Sequence, residues 1–119
     1  MLLWLLIVAI FPMHAQVSEL PTVEQLEAIS EQFREVAKSA GMELPRKLPQ
    51  AFIRNRPGFS VYHAKENEIT FPDWRGLTEE HRVRFGETGR SLAEPLSGER
   101  YFAETFRYFF VHELCHWVQ

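Results

Sequence analysis

The run from Tyr108 to Gln119 is the feature that most constrains how this chain can fold. Glu113 is its one charged residue among aromatic and aliphatic side chains, with the histidines counted as neutral. A helix surrounded by water would carry a charged face, so this run is expected to be buried against other parts of the chain. The sequence predicts a long helix from about residue 99 to residue 119, with Ser97 as its N-cap.

Within this predicted helix lies the sequence His112-Glu113-Leu114-Cys115-His116. Each helical residue advances by about 100°, so the two histidines lie only about 40° apart on one face. They can therefore reach the same zinc ion, at Zn–N distances of about 2.0–2.1 Å. Glu113 is turned too far round the helix to bind in the same way, but it can reach a water on that ion. The spacing predicts His112 and His116 as metal ligands and Glu113 as the catalytic general base.

A simpler interpretation is a buried helix whose histidines only hydrogen-bond to their neighbours. That interpretation would be preferred for either histidine alone. The two together, with Glu113 between them and uncharged residues on both sides, favour zinc binding. The uncharged flanking residues are Phe109, Phe110, Val111, Leu114, Cys115, Trp117 and Val118.

The run Phe109 to Val118 resembles the active-site helix of the zincin metallopeptidases, in which HExxH is set among uncharged and hydrophobic residues. The metzincin branch continues as HExxHxxGxxH, whereas this chain has Gln119 at the glycine position. The resemblance is therefore to gluzincin-like or aspzincin-like enzymes. It implies a zinc cofactor, a peptide or protein substrate, and hydrolysis by zinc-activated water. It also implies a Glu or Asp downstream as the third ligand, which these 119 residues do not contain.

Two other functions remain open at this point. One is a catalytically incompetent zincin-like binding protein or truncated gene product, and the other is a zinc hydrolase that acts on non-peptide amides. Catalytic zinc sites normally have three protein ligands and a water, so two histidines would leave the ion under-coordinated. The 119-residue chain is accordingly expected to bind zinc weakly and to cleave little.

Several other residues are candidates for the site. His63 or His81 could be an unusual third ligand, although lone histidines are mostly surface residues. Cys115 is a possible ligand, but it points away from His116 and is expected to pack in the core. Tyr101 and Tyr108 could stabilise an oxyanion as zincin tyrosines can, and Tyr108 is the stronger candidate because it lies one turn before His112.

A second helix is predicted from Thr22 to Ala40. Its apolar residues recur at steps of three and four, forming one stripe that would lie across the back of a sheet. Thr22 and Gln25 predict a capping box, and Gly41 stands where a left-handed C-cap is needed.

The segment between the two helices predicts about three antiparallel strands, near residues 51–54, 59–63 and 68–71, with 64–67 as a hairpin loop. Thr78 is expected to cap a short helix over 79–85, and 86–98 is expected to be a loop or lid. The predicted class is α+β, with a backing helix over a small antiparallel sheet, followed by the long active-site helix. Zincins have an edge strand that pairs with extended substrate, and Glu68 to Phe71 resembles it in position and alternation. An ordinary core hairpin is the alternative.

The first fifteen residues suggest export. Residues 1–11 carry no charged side chain and are too few to span a bilayer, and Ala15 offers a small residue before a cleavage site. They predict a signal peptide over 1–15, a secreted or periplasmic protein and no stable membrane span after cleavage. Residues 16–119 would then be an incomplete zincin-like metallopeptidase domain, its N-terminal part through the HExxH helix. An uncleaved anchor and an apolar N-terminal helix are the alternatives.

The net charge of −3 argues against nucleic acid as a partner. With a single cysteine, no intrachain disulfide can form within these residues.

Overall fold

A computed structural model describes residues 20–44, 47–57, 60–83 and 98–119. The predicted signal peptide, the predicted N-cap Ser97 and most of the predicted lid lie outside these residues. The elements are helix α1 (Val23–Ser39), strands β1 (Gln50–Ile53), β2 (Val61–His63) and β3 (Glu68–Phe71), a 3-10 turn (Trp74–Gly76) and helix α2 (Gly98–Val118). Helices combined with a small three-stranded sheet confirm the predicted α+β class.

Helix α1 begins and ends as its sequence predicts. The Thr22 hydroxyl accepts a hydrogen bond from the Gln25 amide at 3.2 Å, and the Gln25 side chain accepts one from the Thr22 amide at 2.9 Å. Gly41 has a φ of +79°, a left-handed conformation that favours glycine. The residues buried on one side of α1 are Leu26, Ile29, Ser30, Phe33 and Ala37.

The sheet is mixed, so the predicted all-antiparallel arrangement is wrong. The strand order is β1-β3-β2, and β3 pairs antiparallel with β2 but parallel with β1. The turn over 64–67 forces β2 and β3 to run in opposite directions, and β1 then occupies the other side of β3. The Arg54 amide extends this pairing by donating to the Phe71 carbonyl at 2.9 Å. Strand alternation alone does not encode pairing direction, because residues alternate between faces in both kinds of sheet.

Strand β3 lies at the centre of the sheet, which corrects the expectation that Glu68 to Phe71 forms an edge strand. Both sides of β3 are hydrogen-bonded to neighbouring strands. A central strand has no free backbone groups with which to pair an added peptide. The two edges are formed by β1 and β2 instead.

One hydrophobic core joins the two helices to a single face of the sheet. Helix α1 packs against β1 and α2, while α2 packs against β2 and β3. The ring of Phe71 lies 5.7 Å from that of Phe102 and 5.8 Å from that of Phe110, and Phe33 lies 6.4 Å from Trp117, all between centroids. These contacts place the two helices side by side and hold α2 against β3.

The segment after β3 turns the chain towards α2. Asp73 caps the 3-10 turn by accepting a hydrogen bond from the Arg75 amide at 3.2 Å. Residues 79–83 are helical, and Thr78 accepts a hydrogen bond from the His81 amide at 3.3 Å, which confirms the predicted cap.

None of the helices in the described residues has the length and apolar character needed to cross a membrane.

Candidate metal and catalytic site

From Arg100 onward, the fully exposed residues of helix α2 form one stripe at four-residue spacing. The exposed members of the stripe are Arg100, Glu104, Tyr108, His112 and His116. The opposite side enters the core through Phe102, Phe106, Phe110 and Leu114. The uncharged run is therefore a core-facing helix, as predicted, and the two histidines lie on its one solvent-facing stripe.

The two histidines converge as their spacing predicts. Nε2 of His112 and Nε2 of His116 lie 3.2 Å apart, and the ring planes meet at 80°. Two nitrogens that bind one tetrahedral zinc ion at about 2.0–2.1 Å would lie about 3.3–3.4 Å apart. The observed separation is close to that value, and it is equally that of a hydrogen bond between the two rings. Zinc binding requires a lone pair on both Nε2 atoms, so both rings would carry their proton on Nδ1.

Glu113 points away from the exposed stripe and is buried, with 7% of its surface accessible. Its carboxylate meets β2: Oε2 accepts a hydrogen bond from the Tyr62 amide at 2.9 Å, and Oε1 accepts one from the Ser60 hydroxyl at 3.3 Å. A buried charge is costly unless it is hydrogen-bonded, and these two donors meet that need. The sheet edge therefore holds Glu113 in one orientation, on a different side of α2 from the exposed histidine pair.

No sequence pattern indicates Ser60 and Tyr62 as partners of Glu113. Tyr62 was expected in a half-buried strand, and Ser60 carried no motif. They lie 51 and 53 residues before Glu113 in the chain. The Tyr62 contact uses its backbone amide, which every residue except proline has, so no side-chain pattern could have marked it.

The described residues bring no third candidate ligand to His112 and His116. They contain no group of three or more His, Cys, Asp or Glu side chains that could hold a metal ion. His63 bonds to Thr70 on the sheet, with 3.1 Å between Nε2 and Oγ1. His81 lines a surface pocket with Asn55 and Arg56. Neither joins His112 and His116, so the idea that one of them is the third ligand is not supported.

Cys115 and the two tyrosines have different surroundings. Cys115 is half-buried and packs against the core, as expected, and burial raises the pKa of its thiol. A thiol held protonated is a poor metal ligand. Tyr101 is buried, whereas Tyr108 is 49% exposed on the same stripe as the histidines. Of the two, Tyr108 is therefore the one whose position suits contact with a bound substrate.

Comparison with known proteins adds no relative to this description. No protein-family model, no curated protein and no solved structure matches the chain.

Proposed function

We propose that this protein is an exported zinc-dependent metallopeptidase of the zincin type, or the part of one that carries its active-site helix. The observation that carries the proposal is the 3.2 Å separation of the two Nε2 atoms, because it suits joint binding of one zinc ion. The third ligand, which the family resemblance expects to be a Glu or Asp, would come from outside the described residues.

Each residue of the motif has one task in this proposal. His112 and His116 hold the metal on the exposed stripe of α2, where substrate has access. Bound zinc would polarise the scissile carbonyl and lower the pKa of a water to about 7. Glu113 accepts the proton from the attacking water, since an ionised carboxylate has only acceptor oxygens.

Strand β2 is the edge that an extended peptide substrate would meet, because it packs against α2. The Tyr62 amide points outward from the sheet, since it donates to Glu113 rather than to β3. In an antiparallel pair, the carbonyl of the same residue points to the same side. The Tyr62 carbonyl can therefore accept a hydrogen bond from a peptide that adds to the sheet beside the metal.

A non-catalytic zincin-like binding protein is the second candidate. It is favoured by the absence of a third metal-binding side chain near the histidine pair among the described residues. Such a protein would use the exposed stripe of α2 and the edge of β2 to bind a peptide without cleaving it.

Zinc titration of the 119-residue chain tests the metal site first. We expect weak binding that is lost when His112 is replaced by alanine, because two donors leave the ion under-coordinated. Isothermal titration calorimetry measures it. Tight one-to-one binding would instead mean that a third donor lies within the 119 residues, and binding that survives His112→Ala would remove the metal site from α2.

Peptide hydrolysis by the natural full-length protein tests the reaction. Replacing Glu113 by Gln should lower kcat about 10²–10⁴-fold, the range expected for loss of a general base, while zinc stays bound. Glu35→Gln on the exposed side of α1 is the matched control and should leave kcat unchanged. Hydrolysis that survives Glu113→Gln would exclude the proposed mechanism. A zinc-loaded protein that binds peptides and cleaves none of them would favour the non-catalytic candidate.

A further inference from the structure

The Glu113 carboxylate is bound at two points by one segment of the chain. The Tyr62 amide donates to Oε2, and the Ser60 hydroxyl donates to Oε1. Ser30, Thr70 and Glu113 are the buried polar or charged residues among those described, and only Glu113 is charged. Ser30 bonds within its own helix, at 3.1 Å to the Leu26 carbonyl, and Thr70 bonds to His63 within the sheet. Glu113 alone of these three links α2 to β2.

The use of both oxygens has a geometric consequence. A glutamate side chain can rotate about three bonds, and one hydrogen bond to one oxygen still leaves the carboxylate plane free to turn. Separate donors on Oε1 and Oε2 fix both the position and the plane. A carboxylate has about four lone-pair sites, so each oxygen retains one site that can accept a proton.

The two donors contribute differently. The Tyr62 amide belongs to the sheet and bonds at 2.9 Å, so it anchors the carboxylate wherever β2 lies. The Ser60 hydroxyl is a side-chain donor at 3.3 Å on the other oxygen. Without it, Glu113 would keep its anchor and its burial but could turn about that anchor. The Ser60 contact is therefore the one that sets the direction of the free lone pairs.

We propose that Ser60 is a positioning residue for the reaction: its hydroxyl orients the Glu113 carboxylate so that the carboxylate can take the proton of the attacking water. The proposal rests on the proposed function, in which Glu113 is the general base. It assigns a role to a residue outside the HELCH motif and on a different element of the fold.

Steady-state kinetics of the natural zinc-loaded protein test this role. Ser60→Ala should lower kcat by roughly tenfold, because small misplacement of a catalytic group slows the chemical step. KM and zinc affinity should change by less than about twofold, since the Ser60 hydroxyl bonds to Glu113 and not to either histidine. Ser30→Ala is the matched control, because it also removes a buried hydroxyl but one whose bond stays inside α1.

A second pair of variants separates orientation from folding. Thr and Val have nearly the same shape, and only Thr carries a hydroxyl. Ser60→Thr should keep most of the activity, whereas Ser60→Val should show the loss seen with alanine. Equal kcat for the two would overturn the role of Ser60, whether or not Ser60→Ala folds well.

A double-mutant cycle tests the contact without any turnover. Ser60→Ala should lower the urea midpoint of unfolding in the wild-type protein and shift it much less when Glu113 is already alanine. Equal shifts in the two backgrounds would overturn the contact itself. A wild-type protein that cleaves nothing would instead overturn the proposed function and, with it, the catalytic role of Ser60. Activity that needs Glu113 but is indifferent to Ser60 would overturn this inference alone.

Discussion

Helices α1 and α2 lie against the same face of one sheet, yet their sequences are organised differently. Each buries a phenylalanine completely, Phe33 in α1 and Phe110 in α2. Helix α1 has one apolar stripe and charged residues around the rest of its surface, as a helix at the edge of a core should. Helix α2 is apolar over most of its circumference in its second half, and its solvent-facing stripe there consists of Tyr108, His112 and His116.

The polar residues of α1 follow from its position. Apart from Ser30, whose buried hydroxyl bonds to the Leu26 carbonyl within the helix, they reach solvent or cap its ends. In α2, Glu113 is buried against β2 although an apolar residue would cost less there. Such a departure from the local rule is expected at functional sites. Substitutions in both helices test this difference.

Truncation of the two core phenylalanines should have the largest effect and should not distinguish the helices. Phe33→Ala and Phe110→Ala are each expected to lower the free energy of unfolding by about 3–5 kcal/mol, because both leave a cavity in the shared core. Urea unfolding followed by circular dichroism measures the loss. Val83→Ala, at a side chain that is 53% exposed, should change stability by less than about 0.5 kcal/mol. A small loss of unfolding free energy for Phe33→Ala alone would mean that the packing of α1 contributes little to the stability of the core.

Replacement of a single histidine should lower zinc affinity when the histidine lies on α2 but not when it lies on the sheet. His116→Ala is expected to weaken zinc binding at least about 100-fold. Mutation of a residue that merely hydrogen-bonds to a zinc ligand already lowers metal affinity about 10–100-fold, and loss of the ligand itself should cost more. His63→Ala is the control and should leave zinc affinity unchanged, because His63 bonds to Thr70 instead. Calorimetric titration of both variants checks this. Equal losses in the two variants would place the metal between sheet and helix rather than on α2.

Loss of the α1 cap should have a smaller effect, confined to stability. Thr22→Ala removes an acceptor for the Gln25 amide and should cost about 1 kcal/mol. Thr22→Ser keeps that acceptor and should be nearly neutral. Thermal unfolding measures both variants, and their zinc affinity should equal that of the wild type. A change in metal binding would show that α1 influences the site after all.

The smallest of the expected effects concerns the reactivity of the Cys115 thiol. Burial raises the pKa of its thiol, so the thiol stays protonated over a wider pH range than in the unfolded chain. Alkylation by iodoacetamide in metal-free protein should therefore be slower than in urea at the same pH, because only the thiolate reacts. The stability that this burial contributes is present at neutral pH and is lost as pH rises above the ordinary thiol pKa of about 8.5 through the folded value. Equal alkylation rates in the folded and unfolded chain would contradict the burial.

Local sequence predicted the elements well where the chemistry is local. The capping box of Thr22 and Gln25, the turn before Glu68 and the cap at Thr78 all depend on residues at most a few positions apart. The convergence of His112 and His116 belongs to the same class, since one helical turn determines it. The parallel pairing of β1 was missed, because strand alternation carries no information about a neighbour's direction.

The burial of α2, the shared face of its two imidazoles and the position of Glu113 on a neighbouring face all follow from the local sequence. The central place of β3, the position of β2 as the edge beside α2, and the contacts of Ser60 and the Tyr62 amide with the Glu113 carboxylate depend on the tertiary fold. The two sets differ because the interactions behind them act over different distances along the chain. Helical periodicity and caps act over a few residues. The parallel pairing of β1 with β3 joins residues 18 apart, and the partners of Glu113 lie 51 and 53 residues away, brought together by burial of the common core.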